Sequence, residues 1–155
     1  MCNILLLKPG QMPYKEEFIN MCYNNWHSYG LVVKVDGKLD IKRHVPESEI
    51  DPLELWNLIE KDRQYERLVH VRHTTAGATN LDNCQPFDVF YQEHKGKNPT
   101  NIVFAHNGTL YDYKSKKWDD KGIQMDDPDG PSDTKNFVDQ VLIPFITASD
   151  FGGVS

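Results

Sequence analysis

The sequence has little cysteine, no long apolar run and no excess of positive charge, and each absence excludes a class of protein. Its 155 residues include three cysteines with no C-x-x-C spacing, which argues against a disulfide framework and favours a reducing cytoplasm. The apolar run at the start, Ile4 to Leu7, is too short for a signal peptide, and no run approaches the roughly 20 residues that span a bilayer. We therefore predict a cytoplasmic protein with no membrane partner.

The charge balance and the aromatic residues narrow the class further. There are 17 Lys and Arg against 23 Asp and Glu, a formal net charge of −6, whereas a phosphate-backbone binder would be basic. We therefore predict no nucleic-acid partner, and we expect no cofactor. Seven Tyr, seven Phe and three Trp supply a core and exclude a disordered chain. The length favours one domain over residues 1–155.

Apolar periodicity and turn residues predict mixed strands and helices. The predicted strands are 2–7, 26–35, 39–44, 68–72, 87–91 and 102–105, and the predicted helices cover 14–23, 51–61 and the segment from Ser132 or Asp133 onwards. Asp36-Gly37 predicts a hairpin turn, and Pro144 should kink or end the last helix. The polar residues 111–130 are interpreted as a solvated excursion, and 95–100 as a polar loop. This order predicts an α+β protein with antiparallel sheets.

Cys2 stands at a chemically special position. Methionine aminopeptidase removes Met1 when the next side chain is small, and cysteine qualifies. The product would carry a thiol and a free α-amine on one residue, a nucleophile with its own base. The alternative is an inert second residue that happens to be cysteine.

Further segments carry residue types that suit a catalytic site. They are Arg72-His73-Thr74-Thr75-Ala76-Gly77, Asn83 to Phe87, Ala105-His106-Asn107-Gly108 and Ser132-Asp133-Thr134. Asn107-Gly108 is typical of a tight turn, but its side-chain amide and backbone N–H also suit an oxyanion hole. Arg72 can pair with a surface carboxylate or clamp a substrate carboxylate with its planar guanidinium. Asp133 is by default a helix cap, and alternatively binds a substrate ammonium.

The order of these segments resembles the class II glutamine amidotransferases, a family of N-terminal nucleophile hydrolases. The resemblance rests on Cys2, then R-x-x-T-x-G, N-x-Q-P-F, H-N-G and S-D-T, and less closely on Trp26 to Gly30. It covers nearly the whole chain. It implies an α+β fold, the αββα four-layer sandwich of two mainly antiparallel sheets.

The resemblance also implies a substrate and a role for each residue. The Cys2 thiolate would attack the side-chain amide of L-glutamine while its α-amine takes and returns the proton. Ammonia leaves, and water hydrolyses the glutamyl thioester. The remaining roles are Asn107 and Gly108 as oxyanion donors, Arg72 for the α-carboxylate, Asp133 for the α-ammonium, and Thr75 and Gly77 as loop-shaping residues. We expect the ammonia acceptor to bind to a separate synthase subunit.

The sequence departs from the family pattern in two respects. His73 stands where the family usually has a large aromatic residue, often Trp, and Ala76 stands where a polar residue precedes the glycine. The chain also ends at 150–155, where a further strand would begin, so we expect the second sheet to be incomplete at its C-terminal end. A partner chain, an abbreviated domain and a fragment of a longer protein all remain open, and an uncovered edge would favour self-association.

Three other interpretations remain open. Arg72-His73 resembles the R-H-G opening of the histidine phosphatases, with His106 as the second histidine. A metal site would draw on His70, His73, Cys84, His94 and His106, but these lack the close paired spacing of zinc ligands, so we predict none. A catalytically silent binding module would keep the fold, with Met1 blocking the α-amine.

Overall fold

The structure is a computed structural model that describes residues 2–89 and 102–149. It confirms the predicted α+β class, because all strand pairings described are antiparallel. The chain divides into two compact units, the first formed by residues up to 75 with 79–86 and 105–108, the second by the remaining described residues. The single domain over 1–155 stays a prediction. Met1, the end of the predicted strand at 90–91, His94, the loop at 95–100 and residues 150–155 lie outside the described residues.

The first unit is built on a four-stranded antiparallel sheet. Its strands are β1 (Asn3–Leu7), β2 (Ser28–Val35), β3 (Lys38–His44) and β4 (Glu66–Arg72), in the order β1-β4-β2-β3. The Asp36-Gly37 turn joins β2 to β3, as predicted. Because β4 lies between β1 and β2, its C-terminal end meets the N-terminal ends of both neighbours.

Two helices cover one face of this sheet. They are α1 (Lys15–Asn24) and α2 (Pro52–Lys61). Asp51 caps α2 as predicted, since its Oδ1 accepts two N–H groups of the first turn at 2.9 and 3.3 Å. Apolar side chains of both helices and of alternate strand positions form one core: Leu7, Phe18, Cys22, Tyr29, Leu31, Val33, Ile50, Leu55, Trp56, Ile59, Val69 and Val71.

The opposite face of the sheet is also covered where it carries Gly30. A Cβ built on Gly30 would lie 1.9 Å from the carbonyl oxygen of Gln85 and 2.5 Å from Pro86 Cδ. Only glycine leaves room for this segment, which explains why the glycine of the early motif and the Gln-Pro pair occur together. Ser28 and Val32, on the same face as Gly30, are buried as a result.

Arg67 is a charged side chain buried inside the first unit, with 1% of its surface exposed. Its guanidinium donates to four backbone carbonyl groups, those of Lys8, Gln11, Ile59 and Tyr65. The two shortest of these bonds, to Gln11 and Ile59, are 2.6 Å long. Arg67 therefore ties the loop after β1 to the last turn of α2.

The described residues of the second unit form four short strands, paired as two two-stranded antiparallel sheets. They are β5 (Phe87–Asp88) with β6 (Val103–Phe104), and β7 (Lys116–Trp118) with β8 (Gln124–Asp126). The segment 111–130, predicted as a solvated excursion, is largely exposed, and it contains the β7-β8 pair. Cross-strand pairing of Lys116 with Asp126 supports the β7-β8 sheet through charges that lie far apart in the sequence.

The C-terminal helical segment begins at Ser132, whose Oγ accepts the Lys135 N–H at 3.1 Å. It runs through α3 (Asp133–Phe137), a π-helical turn (Val138–Leu142) and α4 (Ile143–Ser149). Pro144 was expected to kink or end the helix; the chain stays helical past it, but a π-helical turn that ends two residues before Pro144 interrupts the α-helical pattern. Within residues 2–89 and 102–149, no helix has the length and apolar character needed to cross a bilayer.

The burial of Arg67 generates a stability prediction. We expect Arg67→Met to lower the free energy of unfolding by about 3 kcal/mol, because four carbonyl groups lose a charged donor and that of Ile59 lies in the buried core. Urea denaturation measured by circular dichroism would quantify the loss. Arg63→Met is the matched control, since Arg63 is exposed and its side chain donates to one carbonyl, that of Gly10. Equal losses in the two variants would contradict the assigned role of Arg67.

Candidate active site

The candidate site begins where three strands of the first unit converge. In the register of the sheet, Asn3 of β1 pairs with Val71, and Ser28 of β2 pairs with Arg72. Cys2 and His27 immediately precede those two strands. Antiparallel pairing therefore brings both residues to the end of β4, on its two sides, although they lie 25 positions apart in the chain.

Cys2 is partly exposed, and its Sγ contacts the His73 carbonyl oxygen at 3.7 Å. The other two cysteines have no exposed surface. Burial raises the pKa of Cys22 to about 12 and also raises the pKa of Cys84, so both stay protonated at neutral pH. Of the three thiols, that of Cys2 is the one accessible to a substrate.

Arg72 ends β4 with only 3% of its surface exposed. It lies on the face of the sheet opposite the helices, together with Ser28 and His70. Burial lowers the pKa values of His27 and His70, and the positive charge of Arg72 lowers both further. Arg72 is thus a buried cation close to the strand ends that carry Cys2 and His27.

His27 is a site residue that the sequence reasoning missed. Its backbone N–H donates to the Arg72 carbonyl at 3.0 Å, and its Nδ1 accepts the Thr74 N–H at 2.8 Å. The His27 ring also lies against two other rings, those of Trp26 and His73, with centroid distances of 4.1 and 4.7 Å. The antiparallel register was the signal that could have found it, because the residue before β2 must adjoin the residue after β4.

Asn107 and Gly108 are exposed and belong to the first unit. The residue before them is held in place, since the His106 N–H donates to Gln85 Oε1 at 2.7 Å. The sequence alone assigned no role to Gln85, the glutamine of the N-x-Q-P-F motif. This bond shows that its side chain accepts a hydrogen bond from the residue before Asn107. It anchors the H-N-G turn to the segment that packs on Gly30.

Gly77 and Asp133 belong to the second unit, whereas Thr75 belongs to the first and is exposed. Gly77 has a φ of +74°, and a Cβ there would lie 2.6 Å from the Ser132 backbone nitrogen. Both the backbone conformation and the lack of space therefore require glycine. The last residue of R-x-x-T-x-G thus packs directly against the start of α3.

Asp133 is buried, and its carboxylate accepts two backbone N–H groups. Oδ2 accepts from Leu110 at 2.5 Å, and Oδ1 from Thr134 at 2.9 Å. Ser132 is the N-cap, so Asp133 instead ties α3 to the loop at Leu110. A carboxylate has about four acceptor positions, so these bonds leave capacity for a further donor.

The part of the chain that the structure describes contains no cluster of three or more His, Cys, Asp or Glu able to hold a metal ion.

Comparison with known proteins decides the family. The profile of the class II glutamine amidotransferases matches residues 57–142, more than half of the chain. The chain belongs to this family. No curated protein and no solved structure matches it.

The family assignment confirms the resemblance seen in the sequence, and the α+β fold is consistent with an N-terminal nucleophile hydrolase sandwich. It gives the protein glutamine amidotransferase function in general, with glutamine as the implied substrate. The matched residues contain six of the predicted site residues: Arg72, Thr75, Gly77, Asn107, Gly108 and Asp133. Cys2 lies outside the matched span.

His70, on the same face as Arg72, generates a prediction about acid stability. It is wholly buried. Burial lowers the pKa of His70 from 6.5 to about 4, with the backbone of His106 opposing the shift. The unfolded chain therefore binds the proton more tightly, so stability is full above about pH 6.5 and falls as the pH drops towards 4.

Because the unfolded chain binds a proton at His70 more tightly, we expect the free energy of unfolding to be roughly 3 kcal/mol lower at pH 4 than at neutral pH. His70→Gln removes the titrating group, so its stability should change less than that of the unmodified protein between pH 7 and 4.5. Urea unfolding at several pH values would measure both curves. His44→Gln, at an exposed histidine, is the control. If His70→Gln keeps the original pH dependence, the buried neutral state assigned to His70 is wrong.

Proposed function

We propose that this protein hydrolyses the side-chain amide of L-glutamine through a Cys2 thioester and supplies the ammonia to a separate acceptor. The observation that carries the proposal is the position of Cys2. It is the accessible thiol of the described chain, at the start of β1, with its Sγ against the carbonyl of the residue that follows Arg72. Membership of the class II glutamine amidotransferases supplies the substrate.

The proposed reaction uses the amino terminus of the processed chain as its base. Removal of Met1 frees the Cys2 α-amine, whose ordinary pKa of about 8 suits proton transfer near neutral pH. The thiol proton passes to this amine as sulfur attacks the amide carbon. The amine then returns the proton to the departing nitrogen, which leaves as ammonia, and a thioester remains. Water attacks the thioester, releases glutamate and restores the thiol.

Asn107 and Gly108 are proposed to stabilise the two tetrahedral intermediates. Their exposure supports this role, because a substrate oxygen can reach an exposed amide and an exposed backbone N–H. The bond from the His106 N–H to Gln85 fixes the residue next to them. Donors held in this way need little reorganisation when the charge develops.

Arg72 and Asp133 are proposed to bind the α-carboxylate and the α-ammonium of glutamine, respectively. The guanidinium suits a carboxylate because it offers parallel donors, and its burial strengthens the attraction. Asp133 keeps unused acceptor positions besides the two backbone N–H groups that orient it. Thr75 and Gly77 are proposed as loop-shaping residues.

The destination of the ammonia is also a proposal. We propose a separate ammonia-accepting synthase subunit as partner, in a cytoplasmic setting, with self-association as the other way to complete the assembly.

A catalytically silent binding module is the second candidate function. The near-complete burial of Arg72 favours it, since an enclosed cation suits retention of a bound ligand. The two functions differ in turnover, which an assay of glutamate release decides.

We expect the protein lacking Met1 to release glutamate from L-glutamine, and Cys2→Ala to lower kcat by at least about 1,000-fold because the nucleophile is gone. A coupled glutamate assay would measure both. Cys84→Ser is the matched control, since Cys84 is a buried thiol and should leave the rate nearly unchanged. A version with two residues inserted before Cys2 blocks the α-amine and should be inactive.

Two outcomes would contradict the proposed reaction. Glutamate release that persists in Cys2→Ala would exclude the thioester mechanism. Binding of glutamine without turnover, in a protein whose mass shows that Met1 has been removed, would favour the silent binding module.

A further inference from the structure

A single peptide group connects the side chains of His27 and Cys2. The Thr74 N–H donates to His27 Nδ1 at 2.8 Å, while the carbonyl of the same peptide group, that of His73, contacts Cys2 Sγ at 3.7 Å. A trans peptide is planar, and its N–H and C=O point in opposite directions. The orientation of one bond therefore sets the orientation of the other.

His27 holds this peptide group by more than one contact. Its own backbone N–H donates to the Arg72 carbonyl at 3.0 Å, one residue before His73. Its ring lies against that of His73, at a centroid distance of 4.7 Å and an interplanar angle of 39°. The peptide units before and after His73 are thus both fixed by the same residue.

We propose that His27 is a positioning residue for the nucleophile, and that it acts through the His73–Thr74 peptide group. Its Nδ1 lone pair fixes the peptide plane, and the His73 carbonyl then restrains the rotation of the Cys2 side chain. The inference rests on the proposed function, because positioning a thiol matters to a reaction that uses it. His27 itself touches neither sulfur nor substrate in this scheme.

The arrangement requires a neutral His27. Nδ1 accepts a hydrogen bond, so the ring proton is on Nε2, and protonation of Nδ1 would set two donors against each other. Among the described residues, the charged and aromatic groups that act on His27 are cationic or neutral: Arg72 and the rings of His73 and Trp26. Burial and then these charges lower the pKa of His27 below 6.5, which keeps the bond intact at neutral pH. It is lost as the pH falls through that lowered pKa.

Two substitutions separate the role of Nδ1 from that of the ring. In His27→Asn the side-chain oxygen occupies the position of Nδ1 and can accept the Thr74 N–H. In His27→Gln the acceptor lies further out, near the position of Nε2. We expect His27→Gln to lower kcat by about 10- to 100-fold with little change in KM, and His27→Asn to stay within about 3-fold of the original.

The pH profile provides a readout that a merely structural role would not change. Protonation of the Cys2 α-amine gives every variant an acid limb in kcat/KM below about pH 8. The original protein should show a second loss as the pH falls through the lowered pKa of His27, whereas His27→Asn should lack this second loss because asparagine does not titrate. His44→Asn, at an exposed histidine of the same unit, is the control and should keep the original profile. Equal activity of the Asn and Gln variants, or a second acid loss as large in His27→Asn as in the original protein, would overturn the proposal.

A measurement without glutamine keeps this inference separate from the proposed function. Hydrogen exchange of the Thr74 amide, followed by NMR, should be at least about 10-fold faster in His27→Gln than in the original protein and in His27→Asn. If exchange follows this order while glutamate release is absent, the proposed function fails and the positioning contact stands. If exchange is equal in all three, the contact is wrong whatever the activity.

Discussion

The antiparallel pairing of β4 with both β1 and β2 is the constraint on which the rest of the first unit depends. Because β4 runs opposite to both neighbours, its last residue, Arg72, meets the beginnings of the other two strands. Cys2 and His27 are therefore held at the end of β4, on its two sides, by main-chain hydrogen bonds. A shift of one residue in either register would move Arg72 to the helix-covered face and separate the two side chains.

Burial on the second face of the sheet explains the chemistry available there. The Gln85 segment packs directly on Gly30, so Arg72 and His70 lie in a region with little water. Low polarity keeps His70 neutral, and it strengthens the attraction between the Arg72 guanidinium and any anion that reaches it. The same segment orients the H-N-G turn, since Gln85 accepts the His106 N–H. One close backbone contact thus supports two parts of the proposed site.

Local sequence signals predicted most of the elements, whereas long-range contacts escaped them. The Asp51 cap and the Asp36-Gly37 turn depend on neighbours within a few residues, so their positions could be predicted. The β7-β8 hairpin could not, because its pairing relies on cross-strand charges in a stretch rich in Lys and Asp. The burial of Arg67 could not be predicted from the sequence either, since its acceptors are backbone carbonyls from three separate parts of the chain. For the site, the motifs predicted residue types, but the contact between His27 and Thr74 follows only from strand register.

The central claim is that Cys2 is the nucleophile of a glutamine site, and the mass of the intact protein tests it most directly. The mass would be recorded before and after exposure to a diazo-ketone analogue of glutamine, which alkylates a competent N-terminal cysteine. The account predicts a starting mass without methionine and a single adduct, which peptide mapping places on Cys2. A mass that retains Met1 with no adduct, or an adduct on Cys22 or Cys84, would contradict it.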